Sequence, residues 1–200
     1  MAQQQPRDLK INGSGNSVGG MYKKVIVRGE GDITGDVTCE VLKAMGSMNV
    51  HGSVAAKQVS VMGAVNIHGN VQSEEIKVTG ELAADGDCSA ENFKVRGAFR
   101  IDGLLNAGKI EIILYGPAHV REIGCDTIEV KPHFKLFSPG IKELSVDTIE
   151  GDHIRLEYTK ARVVRGNQVE IGAGCDIDLV EYKTSFRQAS NAKVLHSNQV

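Results

Sequence analysis

The sequence predicts an all-β protein, a three-sided parallel β-helix (solenoid) whose rungs are about 17 residues long. Two glycine series and one alternation predict it. Gly29, Gly46, Gly63, Gly80 and Gly97 stand 17 residues apart. Gly35, Gly52, Gly69, Gly86 and Gly103 repeat that interval, six residues behind the first series. A fixed period of this size marks a stack of structural repeats. Between the glycines, apolar and polar residues alternate with period two, which is strand spacing and not helix spacing.

The alternation runs in columns. Val25, Leu42, Val59, Ile76, Phe93 and Ile110 form one inward column, and Val27, Ala44, Val61, Val78, Val95 and Ile112 the next. Ile33, Val50, Ile67, Ala84 and Ile101 continue the core between the glycines. Val37, Val54, Val71, Cys88 and Leu105 follow the second glycine, and the small column Cys39, Ala56, Ser73, Ala90 and Ala107 closes the unit. Each unit reads as three short strands joined at corners, two of them glycine corners. Sharp bends favour positive φ and leave little room for a Cβ. Stacking the units puts each strand in a parallel sheet and the inward columns in one core.

In chain order, residues 1–8 are polar and read as a disordered tail. Residues 9–130 read as the regular β-helix. Its first rung is imperfect: Leu9, Ile11, Gly13 and Gly15 imitate Val25, Val27, Gly29 and Gly31 at an offset of 16, with Val18 and Met21 expected to face inward. The stretch GSGNSVGG lacks the ending of a phosphate-binding loop, and no helix pattern follows it. Leu114 stands where the period expects a glycine, and Ile128 and Val130 restart the pattern 18 residues after Ile110 and Ile112. Residues 131–143, KPHFKLFSPGIKE, carry two prolines, which cannot donate to a strand ladder, so an interruption or bulged loop is expected. Phe134 and Phe137 should pack under that loop or, alternatively, onto a partner. Residues 144–182 read as degenerate rungs, with DTIEV (126–130), DTIEG (147–151) and QVEIG (168–172) as copies of one strand and corner. Residues 183–200 are polar and read as a tail or a short cap. Roughly nine or ten rungs stacked about 4.8 Å apart would make a rod of about 45 Å.

With 41% hydrophobic and 24% charged residues the chain can bury a real core. Aromatics are only 4%, as suits a narrow interior filled by Val, Ile and Leu. A net charge of −2 and a pI near 6.3 imply no general attraction to nucleic acid. No apolar run reaches the ~18 residues of a membrane span. MAQQQPRDLK has neither a secretory nor a lipidation signature, so a cytoplasmic protein is expected. Cys39, Cys88, Cys125 and Cys175 lack paired spacing and read as small buried thiols, not disulfides or zinc ligands.

The residues that could carry chemistry lie in an outward column, Thr34, His51, His68, Asp85 and Asp102. Two histidines followed by two carboxylates could bind a divalent metal or exchange protons. A solvated polar ladder is the plainer reading, since a flat face lacks the concave pocket that catalysis uses. Asn49 and Asn66 form a second outward ladder. Met45 and Met62 point outward as a small lateral patch, in a column with Arg28, Thr79 and Arg96. No GxSxG, Walker or HExxH motif occurs, so no catalytic, cofactor-binding or metal residue is assigned, and no small-molecule substrate is expected.

The phased V-x-V-x-G and I-x-G-x-V rungs VIVRGEGDITGDV, VSVMGAVNIHGNV and FKVRGAFRIDGLL resemble the bactofilins, bacterial polymer-forming cytoskeletal proteins. The resemblance covers roughly residues 20–130, and the whole chain is similar to longer members from Bacillus-type bacteria. It implies a right-handed β-helix that assembles end to end, without nucleotide, into non-polar filaments. It also implies scaffold roles in cell shape, envelope growth or motility. The implied partners are further copies of the chain, a paralogous bactofilin or a membrane-associated protein. The implied location is the cytoplasm or, peripherally, the inner face of the cell membrane. The family supplies no catalytic residues.

The physics points the same way. A solenoid closes its sides but not its ends, and an open strand edge templates further pairing unless it is capped. The expected polymer-end core is Leu9, Ile11, Val25 and Val27 at one end and Val169, Ile171, Ile177 and Leu179 at the other. Val25→Asp or Val169→Asp is expected to alter assembly. Two other classes compete. One is a monomeric binding module using the Met45/Met62 face or the 131–143 loop. The other is an enzyme built on a β-helix. Hexapeptide-repeat acyltransferases keep a strict six-residue period, which a 17-residue period split as six and eleven does not have. A lyase or hydrolase would need acids and bases gathered in a groove, and the His51–Asp102 column is a faint match.

Overall fold

The computed structural model describes residues 6–133 and 142–200, and its regular structure is all β. Nine strands follow in chain order: β1 (Leu9–Met21), β2 (Lys24–His51), β3 (Val54–Ile67), β4 (Val71–Ala84), β5 (Cys88–Pro132), β6 (Leu144–Leu156), β7 (Thr159–Ile171), β8 (Asp176–Gln188) and β9 (Lys193–Gln199). They form one sheet in which each strand pairs in parallel with the next. A chain that always lays its next strand beside the last, in the same direction, must wind as a solenoid. The fold is the parallel β-helix that the glycine period predicts.

The register is the sequence period made physical. Leu42, Val59, Ile76 and Phe93 stack in line at an offset of 17, as do Gly46, Gly63, Gly80 and Gly97. β1 stacks on β2 at an offset of 16, with Leu9 on Val25 and Gly13 on Gly29. The first inward column runs Leu9, Val25, Leu42, Val59, Ile76, Phe93, Ile110, Ile128, Ile154, Val169 and Phe186, one residue per coil. All but its two end members are buried. Each such side chain contributes about 1.5–3 kcal/mol by leaving water.

The two glycine columns exist for different reasons. Gly63 has φ of 131°, and a Cβ there would lie 2.1 Å from the carbonyl oxygen of Gly46 in the coil before. Gly52 lies outside the left-handed region, but its Cβ would lie 2.6 Å from the carbonyl carbon of Gly35. The first column needs both the backbone conformation and the space. The second needs mainly the space, because coils touch backbone to backbone at that corner.

Beyond Ile112 the coils become irregular. Leu114 replaces the corner glycine and is fully buried. Its carbonyl accepts a hydrogen bond from the His133 amide, at 2.8 Å, while the Tyr115 and His133 rings stack 4.1 Å apart. Ala118 pairs with Leu144, an offset of 26, so residues 131–143 hold the extra length and the coil resumes in register afterwards. The expected loop and its Phe134/Phe137 pair lie largely outside the described residues, as do residues 1–5 of the expected tail. Later coils run at offsets of 15 to 17, with Leu144 on Thr159, Ala161 on Ile177 and Asp176 on Lys193.

Three expectations need correction. Val18 and Met21 do not face inward; they are 71% and 74% exposed, because Val18 pairs with the outward Thr34 and the register slip that follows it pairs Met21 with the outward Thr38. DTIEV and DTIEG are not equivalent. Ile128 pairs with Ile154 and Ile154 with Val169, whereas Ile149 pairs with Ile123 on another side of the coil. Residues 183–200 are not a tail: they complete β8 and form β9, which pairs with β8 from Asp176↔Lys193 to Tyr182↔Gln199.

Candidate functional site

The outward column assembles as the period predicts, and its members satisfy one another. The His51 and His68 rings stack with centroids 5.0 Å apart. His51 Nε2 lies 3.1 Å from Asp32 Oδ2, and His68 Nδ1 lies 2.8 Å from Asp85 Oδ2. Arg100 donates to Asp85 Oδ1 at 2.7 Å and also to Asp102. His68 first, and Arg100 second, hold the Asp85 carboxyl below the usual carboxylate range. Thr34 begins the column, exposed. The side chains spend their polar atoms laterally, along the rod, and lie flat on an open face. Among the described residues no group of three or more His, Cys, Asp or Glu is arranged to hold a metal ion.

A third ladder escaped the sequence reading. Asp36 Oδ1 accepts from the Ser53 amide at 2.7 Å, Ser53 Oγ from the Asn70 amide at 3.1 Å, Asn70 Oδ1 from the Asp87 amide at 2.9 Å, and Asp87 Oδ1 from the Leu104 amide at 2.8 Å. Each side chain satisfies a corner N–H of the next coil that a bending strand leaves open. The signal was present: Asp36, Ser53, Asn70 and Asp87 each follow a glycine of the second series.

The cysteines form no disulfide among the described residues. All four are free. Cys39, Cys88 and Cys175 are buried and Cys125 is half-buried. Burial pushes the Cys39 and Cys175 thiols up to about 11 and those of Cys88 and Cys125 to about 12. Such thiols are protonated and unreactive near neutral pH.

At the ends of the rod, the expected residues divide. Leu9 and Ile11 lie in the first coil, and Ile11 is 7% exposed. Val25 and Val27 lie one coil inside, fully covered by β1. At the other end Val169, Ile171 and Ile177 are buried, with Phe186 of β8 stacked on Val169 and β9 covering Ile177. Leu179 is only half-buried, and its neighbour Val180 takes the core position. The outermost side chains on the C-terminal core are Tyr182, Phe186 and Val194, with the Tyr182 and Phe186 rings stacked 5.4 Å apart. Leu195 and Val200 stand exposed at 52% and 71%. Among the described residues, no strand pairs with the outer edge of β1 or of β9.

Among the described residues, the large apolar side chains exposed along the body of the rod are Met45, Met62 and Tyr115. Met45 and Met62 stack in register and are 42% and 64% exposed. Among the described residues no helix is long and apolar enough to cross a membrane.

The chain is similar to two proteins of Bacillus subtilis. It is 48% identical over 81 residues to the uncharacterized protein YhbF, a match covering 40% of this chain and 34% of that protein. It is 38% identical over 104 residues to the uncharacterized protein YhbE, covering 48% of this chain and 43% of that protein. The chain thus spans between a third and a half of the length of these relatives. No family model matches the chain, and no solved structure matches it.

Proposed function

We propose that this chain is a non-catalytic scaffold protein of bactofilin type, which polymerises end to end through its terminal coils without nucleotide. The observation that carries the reading is the state of the two ends. β1 and β9 each leave an outer strand edge unpaired among the described residues, with Val18 and Met21 exposed at one end and Leu195 and Val200 at the other. An unpaired parallel edge above an apolar core is a template for the next strand. The sides of the rod offer no such template, because their backbone groups are spent between coils.

The scaffold would act in the cytoplasm or at the inner face of the membrane, in cell shape, envelope growth or motility. Its partners would be further copies of itself, a paralogous bactofilin or a membrane-associated protein. On this reading the N-terminal contact lies in the coil of Leu9 and Ile11, as the sequence suggests, and the C-terminal contact lies one strand beyond Ile177 and Leu179, in β9. Val25→Asp and Val169→Asp would bury a charge beneath a complete coil and unfold the protein before they altered assembly. Val18→Lys with Met21→Lys, and separately Leu195→Lys, place charge on the edges themselves. Negative-stain microscopy should show nucleotide-independent filaments or sheets for the wild type and none for these variants, with melting temperature unchanged. Filaments that persist in both edge variants would overturn assembly through the ends.

A further inference from the structure

The formal net charge of −2 hides a separation of charge between the faces of the rod. The strand that leads into the first glycine corner carries Lys24, Arg28, Lys43, Lys77 and Arg96, all exposed. Stacking sets Lys43, Ser60 and Lys77 in one outward column and Met45, Met62, Thr79 and Arg96 in its neighbour. None of the five cations has an ion-pair partner among the described residues. Three other cations of this face are paired: Lys10 with Asp8, and Lys94 and Lys109 with Glu111. Glu75 lies among the five and accepts a hydrogen bond from Gln58. The next face around the coil is of opposite character, with Glu30, Asp32, Glu81, Asp85 and Asp102.

We propose that this basic face is a docking surface for an anionic lipid bilayer, with Met45 and Met62 set into the headgroup boundary. A stacked parallel sheet presents its cations together on one rigid plane, so no segment has to order on binding. Anionic leaflets attract basic side chains near the surface, and a small apolar contact in their midst adds to that attraction. The two exposed methionines lie side by side at the centre of the cations. The face suits nucleic acid less well. Single strands are held by stacking on aromatic side chains, and none projects from this face in coils 24–96. A duplex is read by an element that enters a groove, which a flat sheet cannot do. The proposal deepens the membrane location of the proposed function and rests on that reading, but it does not depend on assembly, since a single rod carries the surface whole.

The test is flotation of the full chain with vesicles of phosphatidylcholine alone and of phosphatidylcholine mixed with phosphatidylglycerol. The expected result is binding to the anionic vesicles only, weakening as salt is raised. Lys43→Gln with Lys77→Gln should lower that affinity roughly thirtyfold, from about 1 kcal/mol per cation. Arg121→Gln with Lys160→Gln removes the same charge from a different face and should leave it unchanged. Circular dichroism melts confirm folding, and all four positions are exposed. Three results would each overturn the proposal. They are equal binding to both vesicles, equal loss in the two double variants, and tighter binding to DNA than to anionic vesicles abolished by the same substitutions.

Discussion

Alanine in place of Gly63 should destabilise the protein by several kcal/mol, while alanine in place of Gly124 should scarcely be felt. Gly63 sits at φ of 131°, and its Cβ would fall 2.1 Å from Gly46 O. The backbone conformation alone costs a non-glycine residue about 1–2 kcal/mol. Relieving the overlap forces two coils apart and weakens the adjoining ladder bonds, each worth about 1 kcal/mol. The sum is about 3–5 kcal/mol. Two other positions separate the causes. Gly13 has φ of 85° with nothing within 4 Å of its Cβ, so Gly13→Ala carries the conformational cost only, about 1–2 kcal/mol. Gly52 has the overlap without the left-handed backbone, and should cost about 2–3 kcal/mol. Gly124 has neither: its nearest neighbour is Asn106 Oδ1 at 3.5 Å, and alanine there should be neutral or slightly stabilising. For a chain of this length each kcal/mol moves the melting temperature by about 2–4 °C. Gly63→Ala should therefore melt roughly 6–20 °C below wild type by far-ultraviolet circular dichroism. The reasoning fails if Gly63→Ala melts within about 2 °C of wild type, or if Gly124→Ala falls as far.

Three further outcomes follow from the core and the ladders. Cys88 is raised from 9.0 to about 12 by burial, so its stability contribution is complete below pH 9 and lost as pH rises toward 12. Urea denaturation at pH 9 and pH 10 should show a loss of about 1 kcal/mol from this thiol, absent in Cys88→Ala. Asp85 is depressed, so its contribution is present above the ordinary carboxylate range and lost as pH falls through its lowered value. Carboxyl carbon titration by NMR should show the Asp85 midpoint rising in His68→Ala, and an unmoved midpoint would remove His68 as its main cause. Asn70→Ala leaves the Asp87 amide without its acceptor and should cost about 1 kcal/mol, a fall of about 2–4 °C in melting temperature.

The regular coils were legible because every one repeats the same bend at the same place. Gly29 to Gly103 fix both the period and the corner, and inward columns follow by alternation. Where corners lose their glycine, alternation misleads. Val146 and Ile149, Ala161 and Val164, and Ile177 and Val180 are buried pairs three residues apart across a bend. Counting by two from Ile177 therefore selects Leu179 and misses Val180. DTIEV and DTIEG look alike because any strand entering a bend can use that pattern, whichever side of the coil it occupies. β9 reads as a tail because an edge strand buries little and needs few apolar residues. Met21 was misread because a single slipped register position reverses every side chain after it, and Val18 because it stacks on the outward Thr34. The separation of charge between faces was invisible to composition, which sums over all sides of the rod.

The most direct test of the scaffold reading is the size of purified full-length protein across a range of concentrations, without nucleotide. Analytical ultracentrifugation paired with negative-stain microscopy supplies it. The reading predicts polymers that grow with concentration and vanish when Val18 and Met21 are both replaced by lysine in a protein that still melts as wild type. A monodisperse monomer at every concentration would contradict it.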